Sequence, residues 1–168
     1  MADDDPKRAT LNKLALLRTR AVDDWELSSL LAMMRDADPG VRDWATFALA
    51  ARDDDSQEVR QALLERAGDS DFDAKSEALW GLARRRDTRA LPLLVASLEG
   101  DQIGILFIEA AAYFARSELL PALEGLRDWW DLDTALLEEA LARCKGLSVP
   151  GGKTWDLVPA NDRTSPQS

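Results

Sequence analysis

The side chains of this chain best suited to chemistry are carboxylates and aromatic rings, and they recur at a fixed distance. Phe47, Trp80 and Tyr113 stand 33 residues apart, and Asp43, Ser76 and Glu109 flank them at the same interval. An aromatic strip edged with carboxylates suits a basic or amphipathic peptide, through apolar burial combined with charge pairing. Most catalytic chemistries lack their parts. No histidine occurs, which removes imidazole acid–base catalysis, Ser-His-Asp triads and histidine metal sites. Cys144 is the single cysteine, so neither an internal disulfide nor a thiolate cluster can form. It falls on the apolar face at a helix end and reads as a buried structural thiol.

Three further patterns dissolve on inspection. Gly152-Lys153-Thr154 resembles the end of a phosphate loop, but Leu147 stands where that loop needs its first glycine. Asp69-x-Asp71-x-Asp73 imitates the start of a calcium loop. Ala74 replaces its glycine and Trp80 its bidentate glutamate, so a helix N-cap is the better reading. Asp53-Asp54-Asp55 reads as a solvated turn. Arg84-Arg85-Arg86 with Arg89 is the one basic cluster, placed at a helix end where cations offset the dipole.

The charge balance points the same way. With 31 acidic against 21 basic residues among 168, the formal charge is −10. That field repels phosphate backbones, so no nucleic acid is expected as a partner. Residues 117–143 concentrate it, carrying seven acids against two arginines. Glu124, Asp128, Trp129 and Asp131 lie there, a second candidate docking patch for a cation. The competing account is that Trp129 and Trp130 cap the end of the core. No apolar stretch is long enough to cross a bilayer, and Asp3, Asp4 and Asp5 do not begin a signal peptide. No membrane partner and a cytoplasmic location are therefore expected.

The elements that must position these side chains are helices. Apolar residues recur at helical spacing, as in Val41, Ala45, Ala48 and Leu49, and period-two alternation is missing, so the class is all-α. The segment from Asp38 aligns with that from Asp71 at an offset of 33, pairing Arg42 with Lys75, Ala45 with Ala78 and Leu49 with Leu82. Leu91-Pro92-x-Leu94 and Leu120-Pro121-x-Leu123 echo each other at an offset of 29, with each proline near a helix start. The unit is a helical hairpin of about 30 residues, which buries its apolar faces only by stacking. Residues 1–6 read as a frayed N-terminus and residues 7–145 as an α-solenoid domain, opening with a helix from Lys7 to Thr19. Four hairpins pair Trp25–Arg35 with Gly40–Arg52, Ser56–Ala67 with Phe72–Arg85, Thr88–Leu98 with Gln102–Ala115, and Ser117–Trp130 with Asp133–Cys144. Residues 146–168 read as an extended or disordered tail. Its apolar stretch from Trp155 to Pro159 has two fates open, packing back on the last hairpin or binding elsewhere.

The repeat D-x-x-V-R-x-x-A at Asp38, Val41, Arg42 and Ala45, with its second copy at Asp71, Ala74, Lys75 and Ala78, resembles HEAT-repeat proteins. The likeness is to the short bacterial HEAT-like repeats of phycobilisome (bilin) lyases, and it spans about Val22 to Cys144. It implies that the aspartate caps the second helix of each unit and that the arginine or lysine joins a charged ladder between units. Gly104 and Ile108 depart from that pattern in the third copy.

The leading expectation is a non-catalytic protein-binding module or scaffold with no cofactor and no metal. Its concave face would hold a protein or peptide with a basic or amphipathic surface. Phe47 lies six residues beyond Val41, about 240° round the helix at ~100° per residue, and so points away from the core stripe. The aromatic series then either lines the concave face or packs between neighbouring hairpins. The alternative drawn from the resemblance is a bilin lyase-like or other small-ligand enzyme, with Tyr113, Asp43 or Glu109 as pigment contacts. Helical-repeat DNA glycosylases, a third class, need a basic groove that this charge opposes.

Overall fold

The structure is a computed structural model and describes residues 24–152 together with Trp155 and Val158. Among the described residues there are eight α-helices and no strand. They form four hairpins: α1 (Leu27–Met33) with α2 (Pro39–Ala51), α3 (Gln57–Ala67) with α4 (Phe72–Arg84), α5 (Leu91–Leu98) with α6 (Ile105–Phe114), and α7 (Leu120–Glu124) with α8 (Thr134–Cys144). The second helices α2, α4, α6 and α8 pack closely side by side, while the first helices scarcely meet one another. The second helices thus form one continuous inner layer of the stack.

Local chemistry sets the helix starts. The Asp38 carboxylate accepts from the N–H groups of Gly40 at 2.8 Å and Val41 at 3.3 Å, and Pro39 occupies a position where no donor is missed. Asp71 caps α4 through Ala74 N–H at 3.0 Å, Ser56 caps α3 through Val59 N–H at 3.2 Å, and Asp133 caps α8. Small residues then let the inner helices approach. Ala45, Ala48, Ala78, Ala110 and Ala111 are fully buried. At Gly81 a Cβ would fall 2.6 Å from the Ala50 Cβ, so only glycine permits this spacing of α2 and α4. Helix α6, apolar nearly all round, is buried on both sides between α4 and α8.

Several expectations need correction. The first helix of the fourth hairpin does not run from Ser117 to Trp130. It is a 3-10 turn (Ser117–Leu119) followed by the short α7. Beyond Gly125 bonds of the i→i+3 type take over, with Arg127 N–H on Glu124 O at 3.3 Å and Trp129 N–H on Leu126 O at 3.2 Å, before one last i→i+4 bond from Trp130 N–H to Leu126 O at 2.9 Å. Trp130 then turns inward and donates its indole N–H to the Ile103 carbonyl at 3.1 Å. Helix α6 starts at Ile105 rather than Gln102, because Gly104 is extended and lies against the Phe72 ring. The charged ladder implied by the resemblance is absent at Arg42, which bonds the Asp36 and Ala37 carbonyls of its own hairpin loop at 2.8 and 2.9 Å. The frayed 1–6 segment and the helix expected from Lys7 to Thr19 lie outside the described residues, as do Lys153 and Thr154.

Inter-unit links come instead from arginines at helix ends. Arg84 and Arg85 are buried, and both reach the C-terminal carbonyls of α2. Arg85 donates five hydrogen bonds to backbone oxygens, those of Leu49, Ala50, Arg52, Asp54 and Gly81. Arg84 bonds Ala50 O and Ala51 O, each at 2.9 Å. The last carbonyls of a helix have no partner within it, and here the next hairpin supplies the donors. The basic cluster thus serves its neighbour's helix end more than its own. Arg143 repeats the device on Ala112 O at 2.7 Å. The aspartate run is a solvated turn only in part: Asp53 is exposed while pairing with Arg84, Asp54 pairs with Arg52, and Asp55 pairs with Arg60 with its carboxylate buried. Burial, then the charge of Arg84, lowers the Arg85 guanidinium to about 10.

Candidate binding face

One position repeated on α2, α4 and α6 meets three different environments. Phe47 is 44% exposed on α2. Trp80 on α4 is half-buried, with the Arg84 guanidinium 5.1 Å from its ring centroid. Tyr113 on α6 is only 5% exposed, set edge-to-face against Trp80 at 6.4 Å. Trp80 and Tyr113 thus pack on each other between neighbouring hairpins, Phe47 stands open on α2, and exposure falls from α2 to α6.

At the buried end of the series Tyr113 is also covered by Trp155. Trp155 packs edge-to-face on Tyr113 with centroids 4.8 Å apart, and its other contacts come from α8. Its indole N–H donates to the Glu139 carboxylate at 2.6 Å, and the Arg143 guanidinium lies 5.1 Å from its ring. Val158 is buried and donates its backbone N–H to the Arg84 carbonyl at 3.1 Å. Of the two fates open to this stretch, Trp155 packs back on the last hairpin through Glu139 and Arg143 while also reaching α6, and Val158 lies beyond it on α4.

The polar partners of the aromatic series diverge as well. Asp43 is half-buried near the N-terminal end of α2 and shares a hydrogen bond with Glu77 of α4. Burial first, then the charge of Asp43, lifts the Glu77 carboxyl to about 8, so at neutral pH the pair holds a proton between two oxygens. Glu77 went unnoticed in the sequence, although a signal exists. The same repeat position holds Trp44 in the preceding unit and Ala110 in the next, both buried. A carboxylate at a core address is the anomaly. Ser76 is buried and spends its hydroxyl on the Asp73 carbonyl at 3.0 Å, so it faces its own helix rather than the groove. Glu109 is half-buried and engaged.

The second patch is split by the fold. Trp130 joins the core, while Trp129 is 53% exposed beside exposed Asp128 and Asp131. Glu124 is held by Lys145 at 2.8 Å and by Arg127 at 2.9 Å, with Arg127 continuing to Glu138 at 2.7 Å. Elsewhere, Asp69 accepts from Asp71 N–H at 3.0 Å and pairs with Arg66 at 2.5 Å, so the calcium-like spacing builds caps. The backbone bond from Asp71, and then Arg66, holds the Asp69 carboxyl below its ordinary value. No carboxylate, cysteine and histidine group able to hold a metal occurs among the described residues. Burial pushes the Cys144 thiol to about 11, and its sulfur lies 3.6 Å from Ala111 O, an unreactive setting.

A family model for HEAT repeats matches residues 27–115, more than half of the chain. The chain is a HEAT-repeat protein. Its capping aspartates and stacked hairpins follow the family plan. Among curated proteins it is similar to Protein YibA of Escherichia coli strains K12 and O157:H7, at 27% identity over 139 residues in each case. The match takes in 83% of this chain and 48% of the relative, so the HEAT-repeat chain spans about half the length of YibA. An X-ray structure of Escherichia coli YibA superposes with a TM-score of 0.61 at 28% identity, over 69% of this chain and 42% of that one. No described helix is long and apolar enough to cross a membrane.

Proposed function

We propose that this HEAT-repeat protein is a non-catalytic binding module whose inner face holds a partner protein or peptide with a basic or amphipathic surface. The observation that carries the reading is the open end of that face, where exposed Phe47 sits one helical turn from Asp43, itself bonded to Glu77. A cationic side chain seated on these carboxylates displaces their shared proton, while Phe47 supplies apolar area. Catalysis finds little support, since the chain has no histidine and its one thiol is buried. The competing reading, a bilin lyase-like or other small-ligand enzyme, rests on family resemblance. A groove of about 640 Å³ lined by Phe72, Lys75, Leu93 and Phe107 contains none of Asp43, Glu109 or Tyr113.

The test is affinity capture from a lysate of the source organism by wild type and by a Phe47→Ala/Asp43→Asn variant, with circular dichroism confirming equal helicity. A partner held by wild type, released by salt and lost with the variant is the expected result. Equal capture by both proteins removes this site. An absorbance change on adding a free bilin, without any captured protein, favours the enzyme reading instead.

A further inference from the structure

The closed end of the inner face has the form of a peptide site already filled. Trp155 sits between the Tyr113 ring at 4.8 Å and the Arg143 guanidinium at 5.1 Å, and its N–H reaches Glu139 at 2.6 Å. Two of these walls are anchored without Trp155. Arg143 is fixed on the Ala112 carbonyl at 2.7 Å, and Tyr113 is braced by Trp80 at 6.4 Å. The pocket is therefore preformed, as recognition sites commonly are.

A terminal segment that merely caps a helical stack covers the outer side of its last hairpin. This one takes another course. Trp155 touches α8 and α6, and three residues later Val158 bonds the last turn of α4 at 3.1 Å. The two contacts thus fall on successive units of the inner face, and Phe47 stays open one unit further on.

We propose that the inner face from α4 to α8 is a groove for an extended segment bearing an indole and, three residues on, a β-branched aliphatic side chain. In the free protein the chain's own Trp155 and Val158 fill it. This deepens the binding-module reading and rests on it: a partner of that chemistry binds the closed half only by displacing the segment in cis. The tether from Cys144 is short, so its effective concentration is on the order of 1 mM, and a free peptide with a Kd of about 0.1 mM is excluded roughly tenfold.

The test uses the full chain and a fluorescein-labelled peptide of the sequence Gly-Gly-Lys-Thr-Trp-Asp-Leu-Val-Pro-Ala, which reproduces residues 151–160. Fluorescence anisotropy is expected to show binding to a Trp155→Ala/Val158→Ser variant and at least tenfold weaker binding to wild type. Adding Glu139→Ala to that variant weakens the peptide a further tenfold. In wild type the Val158 amide is protected from hydrogen exchange, and Trp155→Ala removes the protection. Equal peptide binding to wild type and variant overturns the proposal, as does binding to neither together with an unprotected Val158 amide. Capture of a partner through Phe47 and Asp43 is unaffected by either failure, so the two readings can fall separately.

Discussion

The two halves of the inner face began as copies of one sequence pattern and now do opposite things. Toward α2 the face is open and acidic, with Phe47 in solvent and a proton shared between Asp43 and Glu77. Toward α8 it is closed and aromatic, with Tyr113 under Trp155. Repetition therefore assigns an address on the solenoid but not an environment. What lies one unit away decides the exposure, and at one end that neighbour is the chain's own C-terminal segment.

The contrast can be broken hardest at the seam that holds the open half in place. Arg85→Ala removes a donor from the Gly81 carbonyl of α4 and from four carbonyls in or just beyond the end of α2, of which Ala50 keeps Arg84, and buried acceptors left unpaired are costly. A loss of about 3–5 kcal/mol is expected by urea unfolding. A loss below about 1 kcal/mol would mean that water replaces the guanidinium there. The next effect compares the two halves directly. Tyr113→Ala should cost about 3 kcal/mol, since it empties a buried site, whereas Phe47→Ala should cost no more than about 0.5 kcal/mol. Similar values for both would erase the distinction drawn between the halves.

The smallest effect concerns pH. The folded value of Glu77, about 8, lies above its ordinary value of 4.5, so between them the folded chain holds a proton that the unfolded chain has released. Stability from this group is complete below about pH 4.5 and declines as pH rises to 8. Glu77→Gln should flatten that decline, leaving the variant on the order of 2 kcal/mol more stable than wild type at pH 9 after allowance for partial exposure. Thermal melts from pH 5 to 9 check it, and parallel curves for the two proteins would refute the shared proton.

Much of the fold was legible in the sequence because its determinants are local. Asp38, Ser56, Asp71 and Asp133 cap helices by hydrogen bonds spanning two or three residues, and the interval of 33 is visible without coordinates. The hairpin pairings follow from those signals. The site was legible only as a series of addresses. Ser76 and Tyr113 sit on the expected helices, yet one bonds its own backbone and the other is roofed by a residue 42 positions away. The arginines misled for the same reason. Arg84 and Arg85 end a helix, where a dipole argument suffices, but their partners lie more than 30 residues upstream. Periodicity reports contacts inside a unit and says little about those between units.

Those guanidinium bridges have a mechanical corollary. In an ideal array each hairpin melts with modest regard for the next. Here the first hairpin cannot peel away without breaking the bonds that Arg84 and Arg85 make to its last carbonyls, and the second cannot go without uncapping α2. Loss of either unit thus drags the other with it. The first two hairpins should yield under force or protease as one cooperative block, not one after the other.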